Sequence, residues 1–288
     1  MAIHTPYLAG AEKPKINALI YGRPGCGKTT FAAQANDHPD MANALFLNVE
    51  GGLLSVAHRG DIQAIDIRDS KTLEDVFWDL VNKDPAFADI QTIVIDSGSE
   101  LQSVGLQQIV SDAVADPKKV RRDDLDEIEI GDYGKSTAQL TRLFRWFRDS
   151  PYHVIITALP KYVFPKGNTN ENKEPIDCIP SFTAKLAESV MGYVDFVWYM
   201  YIDAEGNRKM LTQEKGIYRA KTRGPEFAMT LGQVVSDPNL SSIYDLLLKT
   251  QGKTPSKPVA IKRPVTAVKP PATLPEPALS PESEQASA

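Results

Sequence analysis

The sequence predicts an α/β fold: a mainly parallel sheet flanked by helices, with an antiparallel hairpin extension on its C-terminal side. Three observations predict it. Short, uniformly apolar runs alternate with amphipathic helical stretches, as expected of strands buried on both faces. The first apolar run ends in a glycine-rich turn that opens a helix. Near the end of the apolar sequence, strand-like runs follow one another with only a short turn between, which predicts antiparallel hairpins.

Taken in order, residues 16–21 (INALIY) are apolar and run into glycine, a buried strand. Residues 28–36 form the first helix. Residues 44–49 (ALFLNV) and 62–67 (IQAIDI) are the second and third strands. In 72–82 (TLEDVFWDLVN), Leu73, Val76, Phe77 and Leu80 fall at helical spacing. Residues 92–96 (TIVID) are a fourth strand, followed by helix to about residue 115. A charged segment, 116–131, interrupts. Residues 133–150 are amphipathic, with Leu140, Leu143, Phe144 and Phe147 on one side. Residues 153–159 (HVIITAL) are the fifth strand, and a long polar loop runs to about 181. Strands are predicted over 194–202, 208–213 and 216–222, with DAEGN (203–207) as a hairpin turn. There is no internal repeat.

Of the chain's 288 residues, 15–249 thus form one core domain, preceded by an irregular lead-in over 1–14. From about 250 the chain is rich in Pro, Ala, Ser and Lys and has almost no large apolar side chains. Such a segment buries too little surface to offset its ordering entropy, so 250–288 is expected to be a disordered tail. A net charge of −5 argues against a binder coated in positive charge but leaves room for local basic loops. Cys26 and Cys178 form neither a disulfide framework nor a zinc spacing and are read as free thiols. No basic-then-apolar leader and no membrane-length apolar run is found, so a soluble, cytoplasmic protein with no membrane partner is expected.

The chemistry starts at Gly22–Thr29, which matches G-x-x-x-x-G-K-[ST] in full between a strand and a helix. Gly22, Arg23, Pro24, Gly25, Cys26 and Gly27 form the loop whose backbone N–H groups wrap phosphates. Lys28 reaches the β- and γ-phosphates, Thr29 ligates Mg²⁺ through its hydroxyl, and Thr30 is counted with the nucleotide-binding residues. Cys26 is incidental within the loop. Asp96, ending a buried strand, fits the second carboxylate of the magnesium site; its alternative is to cap the next helix. The ligands are therefore ATP and Mg²⁺. In many ATPases a glutamate directly follows this aspartate and activates water; here Ser97 follows. Glu50, ending a strand ahead of Gly51 and Gly52, is the best general base, with a plain surface-turn acid as the alternative. Thr157 is placed to sense the γ-phosphate, or is an ordinary strand threonine. The N-K-x-D guanine reader is missing, since NKDP (82–85) and NKEP (172–175) both lack the final aspartate, so GTP is disfavoured.

The P-loop, the glutamate-ended strand, VIDS, the fifth strand and a late basic pair together resemble the RecA-type recombinase core. More narrowly, ALIYGRPGCGKTTFAA, LFLNVEGGL, TIVIDSGSEL, DYGK, VIITAL and YRAKTRGPEF resemble phage ATPases of the Sak-four-like single-strand annealing group, over residues 16 to about 248. The resemblance implies a RecA-like fold, ATP binding and hydrolysis, assembly into a homo-oligomer (ring or filament), and annealing of single-stranded DNA in phage recombination. It also implies that Lys221 and Arg223 act on a neighbouring protomer's ATP; a cation so placed can raise the rate ~10³-fold or more. Their alternative is a solvated strand end. The chain departs from RecA in carrying Thr157 and Ala158 where RecA has an Asn-Gln pair, and in lacking its large extra domains.

Two loops suit single-stranded DNA. One groups Lys118, Lys119, Arg121 and Arg122; the other alternates Lys161, Tyr162, Phe164 and Lys166. Cations with exposed aromatics favour single strands, each stacked base contributing ~1–3 kcal/mol. The acidic stretch 123–132 makes the first loop the weaker site. Two other functions are compatible with a P-loop: a nucleotide-gated adaptor resembling a helicase loader, and a small-molecule kinase, against which the absence of arginine from 160–181 counts. The tail's composition alone suggests recruitment of a single-strand-binding protein or host factor.

Overall fold

The computed structural model describes residues 10–115, 124, 127–165 and 174–257. In chain order the strands and helices are β1 (Asn17–Gly22), α1 (Lys28–Ala33), β2 (Ala44–Asn48), β3 (Gln63–Asp66), α2 (Ser70–Val81), β4 (Thr92–Asp96), α3 (Gly98–Ala115), α4 (Ile130–Asp149), β5 (His153–Ala158), β6 (Pro160–Val163), β7 (Asp177–Pro180), α5 (Ala184–Tyr193), β8 (Phe196–Ile202), β9 (Arg208–Leu211), β10 (Lys221–Thr222), α6 (Pro225–Leu231), β11 (Val234–Ser236) and α7 (Leu240–Thr250).

The main sheet runs β3-β2-β4-β5-β1-β8-β9-β11, with β10 also on β8. The six strands from β3 to β8 are mutually parallel; β9, β10 and β11 add antiparallel pairings. This is the mainly parallel α/β sheet with an antiparallel extension that the sequence predicts. β1, β4 and β5 are buried at every position because helices cover both faces. On one face Leu19, Tyr21, Ile93 and Ile95 pack with apolar residues of α2, α3, α4 and α5. On the other, Ala18, Ile20, Phe46 and Trp198 pack with α1 and α7.

Local chemistry sets several boundaries. Asp69 caps α2 by accepting from the Thr72 N–H at 2.6 Å, and Asn239 caps α7 by accepting from Ser242 N–H at 2.9 Å. The β8–β9 turn closes on Asp203, whose Oδ1 accepts from the N–H groups of Glu205 and Asn207. The first helix is α-helical only to Ala33 and tightens into a 3₁₀ turn over Gln34–Asp37.

Two sequence expectations change. The polar loop after the fifth strand contains the antiparallel ribbon β6–β7, in which Tyr162 opposes Cys178. Residues 216–222 are not one strand: Gly216 takes φ +59° and the backbones of Lys215 and Tyr218 bond reciprocally, closing a tight turn. The chain then ties to β7 through Cys178 before the two residues of β10 pair with β8. Helices α5 and α7 complete the core where no helix was read. α7 seats Tyr244 edge-on to both His38 and His153, with ring centroids 4.8 and 5.0 Å away. The segment expected to be tail is attached at its start: Ser256 donates its N–H to Asp40, and Lys253 Nζ donates to the Ala11 carbonyl. Residues 258–288 lie outside the described residues.

Candidate nucleotide site

The site lies at the C-terminal ends of the parallel strands, where open α/β sheets gather ligands. β1 delivers the P-loop there. Gly22 is required by packing: a Cβ on it would stand 2.1 Å from the Met200 carbonyl oxygen of β8. Gly25 and Gly27 take φ of +79° and +93°, the left-handed region that glycine enters without a Cβ penalty. Lys28 is buried, and its ammonium donates to the loop's own carbonyls, Gly22 O at 2.9 Å and Arg23 O at 3.2 Å. Among the described residues no carboxylate pairs with it. A buried cation facing only neutral acceptors is electrostatically incomplete, and a phosphate is the anion this loop is shaped to hold.

β4 delivers Asp96. The strand order explains its partners: β5 lies between β4 and β1, so Thr157 falls beside Asp96. The Thr157 hydroxyl donates to one Asp96 oxygen, and Thr29 Oγ1 donates to the other at 2.8 Å. Both carboxylate oxygens are thereby oriented in a buried position. A hydroxyl and a carboxylate in contact suit Mg²⁺, which takes few protein ligands and completes its shell with phosphate and water. No three or more His, Cys, Asp or Glu side chains gather into a metal site among the described residues. The Thr157 hydroxyl, expected to sense the γ-phosphate or to be an ordinary strand threonine, is bonded to the Asp96 carboxylate.

Glu50 is exposed on the turn after β2, and its N–H bonds to the Asp96 carbonyl at 3.2 Å. Gly51 (φ +74°) turns the chain, and Asn48 Oδ1 fixes it by accepting from the Gly51 N–H. Glu50 is thus brought beside Asp96 by backbone bonds. Cys26 sits within the loop, and burial pushes its thiol up despite the opposing effects of Lys28 and Arg208. A thiol held protonated is a poor nucleophile.

Lys221 and Arg223 are elsewhere. β10 pairs with Val197 and Phe196, at the start of β8, while Gly22 aligns with Met200 at the other end of that strand. Three to four strand residues separate these levels, roughly 10–13 Å. Lys221 Nζ donates to the Met191 carbonyl, and burial, with Arg223 beside it, holds its pKa down. Arg223 pairs with Asp195 at 2.8 Å and donates to the Gly192 carbonyl at 2.9 Å. Met191 and Gly192 belong to the last turn of α5, so the two cations satisfy its orphan carbonyls.

Of the DNA candidates, Lys161 is exposed, Phe164 is 52% exposed, and Tyr162 is partly buried with its ring toward the core. The ribbon that carries them leaves β5 directly, at the same end as the P-loop. Lys166 and the whole first loop (Lys118, Lys119, Arg121, Arg122) lie outside the described residues.

Sequence reasoning missed Arg208, the first residue of β9. A Cβ on Gly27 would lie 3.1 Å from Arg208 Nε and 3.3 Å from its Cζ. The guanidinium therefore lies over the P-loop of its own chain, on the same face of the sheet as α1. The available signal was period-two alternation: Arg208 shares a face with Met210, which packs in the α1–α7 layer.

The chain matches the family model described as an AAA domain over residues 14–224, well over half its length. No curated protein matches it. The chain belongs to the AAA domain family. It carries a P-loop NTPase domain, the kind that binds and hydrolyses a nucleotide, usually with Mg²⁺. Among the described residues no helix is long and apolar enough to cross a membrane.

Proposed function

We propose that this AAA-domain protein is an ATPase that binds and anneals single-stranded DNA as an oligomer, in phage recombination. One observation carries the reading. β5 holds Asp96 through Thr157 and continues, one residue after its end, into the ribbon bearing Lys161 and Tyr162, with Phe164 directly after its first strand. A change at the magnesium carboxylate therefore has a direct backbone route to a surface whose residue types suit a single strand. Oligomeric action would involve Lys221 and Arg223. They are too far along the sheet to meet their own chain's nucleotide, so any action on ATP is on a neighbour's. Hydrolysis draws on Glu50 as the base orienting water, with Lys28 neutralising phosphate charge.

The test is ATP turnover with and without single-stranded DNA, run beside an annealing assay. Turnover is expected to rise with the strand, and binding to weaken steeply with salt. Lys28→Ala is expected to abolish turnover. An absence of DNA binding at low salt, with or without ATP, overturns the single-strand reading. Turnover unchanged in Glu50→Gln favours a nucleotide-gated adaptor that hydrolyses little.

A further inference from the structure

Beside the P-loop lies a cleft of about 800 Å³, walled on one side by that loop. Four tyrosines line it: Tyr162 from the ribbon, Tyr199 and Tyr201 from β8, and Tyr218 from the turn before β10. Arg23, in the P-loop, and Lys215 bring positive charge, and no Asp or Glu lines it among the described residues. Three of the rings form a stack. Tyr199 lies 4.4 Å from Tyr218 at 24° and 5.9 Å from Tyr201 at 15°. Tyr199 is buried in the middle, while Tyr201 and Tyr218 at the two ends are partly exposed. Burial and the neighbouring Tyr162 hydroxyl drive the Tyr199 phenol well above its ordinary range, so the middle ring is neutral.

We propose that this cleft is a base-binding subsite for single-stranded DNA, in which a nucleobase extends the tyrosine stack and its phosphate meets Arg23 or Lys215. The proposal rests on the single-strand reading above and gives it a location. A planar base continues a run of near-parallel rings at the offset that aromatic pairs favour, and stacking needs no particular base, as annealing of arbitrary sequences requires. The adenine of bound ATP is the competing source of the same chemistry. Alternation argues against it: Tyr199 and Leu211 face the α2–α5 layer, whereas α1 and Arg208 lie on the opposite face. The occupant is also coupled to the nucleotide, because Arg23, Pro24 and Cys26 form a wall of the cleft and belong to the loop that wraps phosphate.

The experiment compares wild type, Tyr201→Leu and Tyr201→Phe, each checked by thermal melting. Two probes are a fluorescein-labelled oligothymidine and a strand of abasic sites of equal length, read by anisotropy; ATP affinity is read by calorimetry. Wild type is expected to prefer the base-bearing strand. Tyr201→Leu is expected to lose about five- to a hundredfold of that affinity, with the abasic strand and ATP unchanged, and Tyr201→Phe to retain it. A loss confined to ATP assigns the cleft to adenine and overturns the proposal, as does no loss at all. If wild type binds ATP but no strand, the single-strand reading falls and takes the proposal with it. Should Tyr201→Leu fail to fold, photocrosslinking of wild type to 5-iodouracil DNA decides. A crosslink at Tyr201 or Tyr218 supports the cleft, and crosslinks found only elsewhere overturn it.

Discussion

The two ends of the parallel sheet treat their charges in opposite ways. At the C-terminal end, Lys28 and Arg208 stand against the P-loop without a carboxylate partner among the described residues, and Glu50 is exposed. At the N-terminal end, Lys221 and Arg223 are bonded to the end of α5 and to Asp195, and His153 is buried with its Nδ1 accepting from the Ile16 N–H at 3.0 Å. One end holds charge in readiness for a ligand; the other has already satisfied it. The contrast teaches that substitutions at the first end should affect nucleotide chemistry while sparing stability, and at the second the reverse.

The largest effect is expected from Asp96→Asn. The amide keeps one acceptor for Thr29 or Thr157 but loses the charge that Mg²⁺ requires. Turnover should fall about 10³-fold, in line with the several kcal/mol a catalytic metal supplies. Melting temperature should hold or rise, because a buried charge has been removed. A variant that loses both activity and stability would show that this carboxylate also holds the fold, and the contrast would fail at its best-defined point.

At the other end, His153 should make the protein acid-sensitive. Burial depresses its pKa from 6.5 to about 4, against a smaller opposing effect of Asp40; His38 and Lys15 also face it and push the same way as burial. Below pH 6.5 the unfolded chain takes up a proton that the folded chain refuses until about pH 4. Stability is therefore whole above pH 6.5 and is lost as pH falls through that window, by about 3 kcal/mol at most. Urea titrations at pH 7 and pH 4.5 measure it, and His153→Asn, which keeps an acceptor for Ile16, should flatten the slope. An unchanged slope would move the acid sensitivity to another group.

Arg208 tests the first end from a residue that no motif names. A charge-assisted bond to phosphate contributes about 1.5–3 kcal/mol, so Arg208→Ala should weaken ATP binding roughly ten- to a hundredfold. Stability should barely move, since the side chain is exposed and makes no ion pair among the described residues. Calorimetric titration with ATP and with adenosine separates the cases: a loss shared equally by adenosine would mean that Arg208 touches the nucleoside.

What was legible in the sequence follows from how local the chemistry is. The P-loop is one contiguous turn, and its glycines, lysine and threonine declare themselves together. Asp96 and Thr157 were each readable as strand ends near the site. Their contact was not, because it depends on β5 lying between β4 and β1. Arg208 was invisible because its meaning lies in the register of β9 on β8, which carries it to Gly27. The strand expected over 216–222 failed at Gly216, where positive φ and reciprocal bonds between Lys215 and Tyr218 outweighed the β-prone Ile217 and Tyr218. Lys221 and Arg223 were readable as a pair, but their partners are the last carbonyls of α5, a helix that the periodicity had not revealed, and Asp195 two residues beyond it.

That pair supplies the smallest expected effect and the sharpest question. Arg223 is 55% exposed, and a surface ion pair of this kind contributes at most about 1 kcal/mol. Arg223→Ala should therefore lower the melting temperature by only a few degrees, about 2–4 °C for a domain of this size. If the residue does no more than cap α5, turnover per folded molecule stays at the wild-type value and the two ends remain distinct. If it reaches a neighbour's ATP, turnover falls far more than stability does. Mixing Arg223→Ala with Lys28→Ala then restores part of the activity, because some interfaces combine an intact P-loop with an intact arginine. Restoration on mixing would make the paired end of one protomer the missing half of the unpaired end of the next. The contrast within a single chain would then be the complementarity from which an assembly is built.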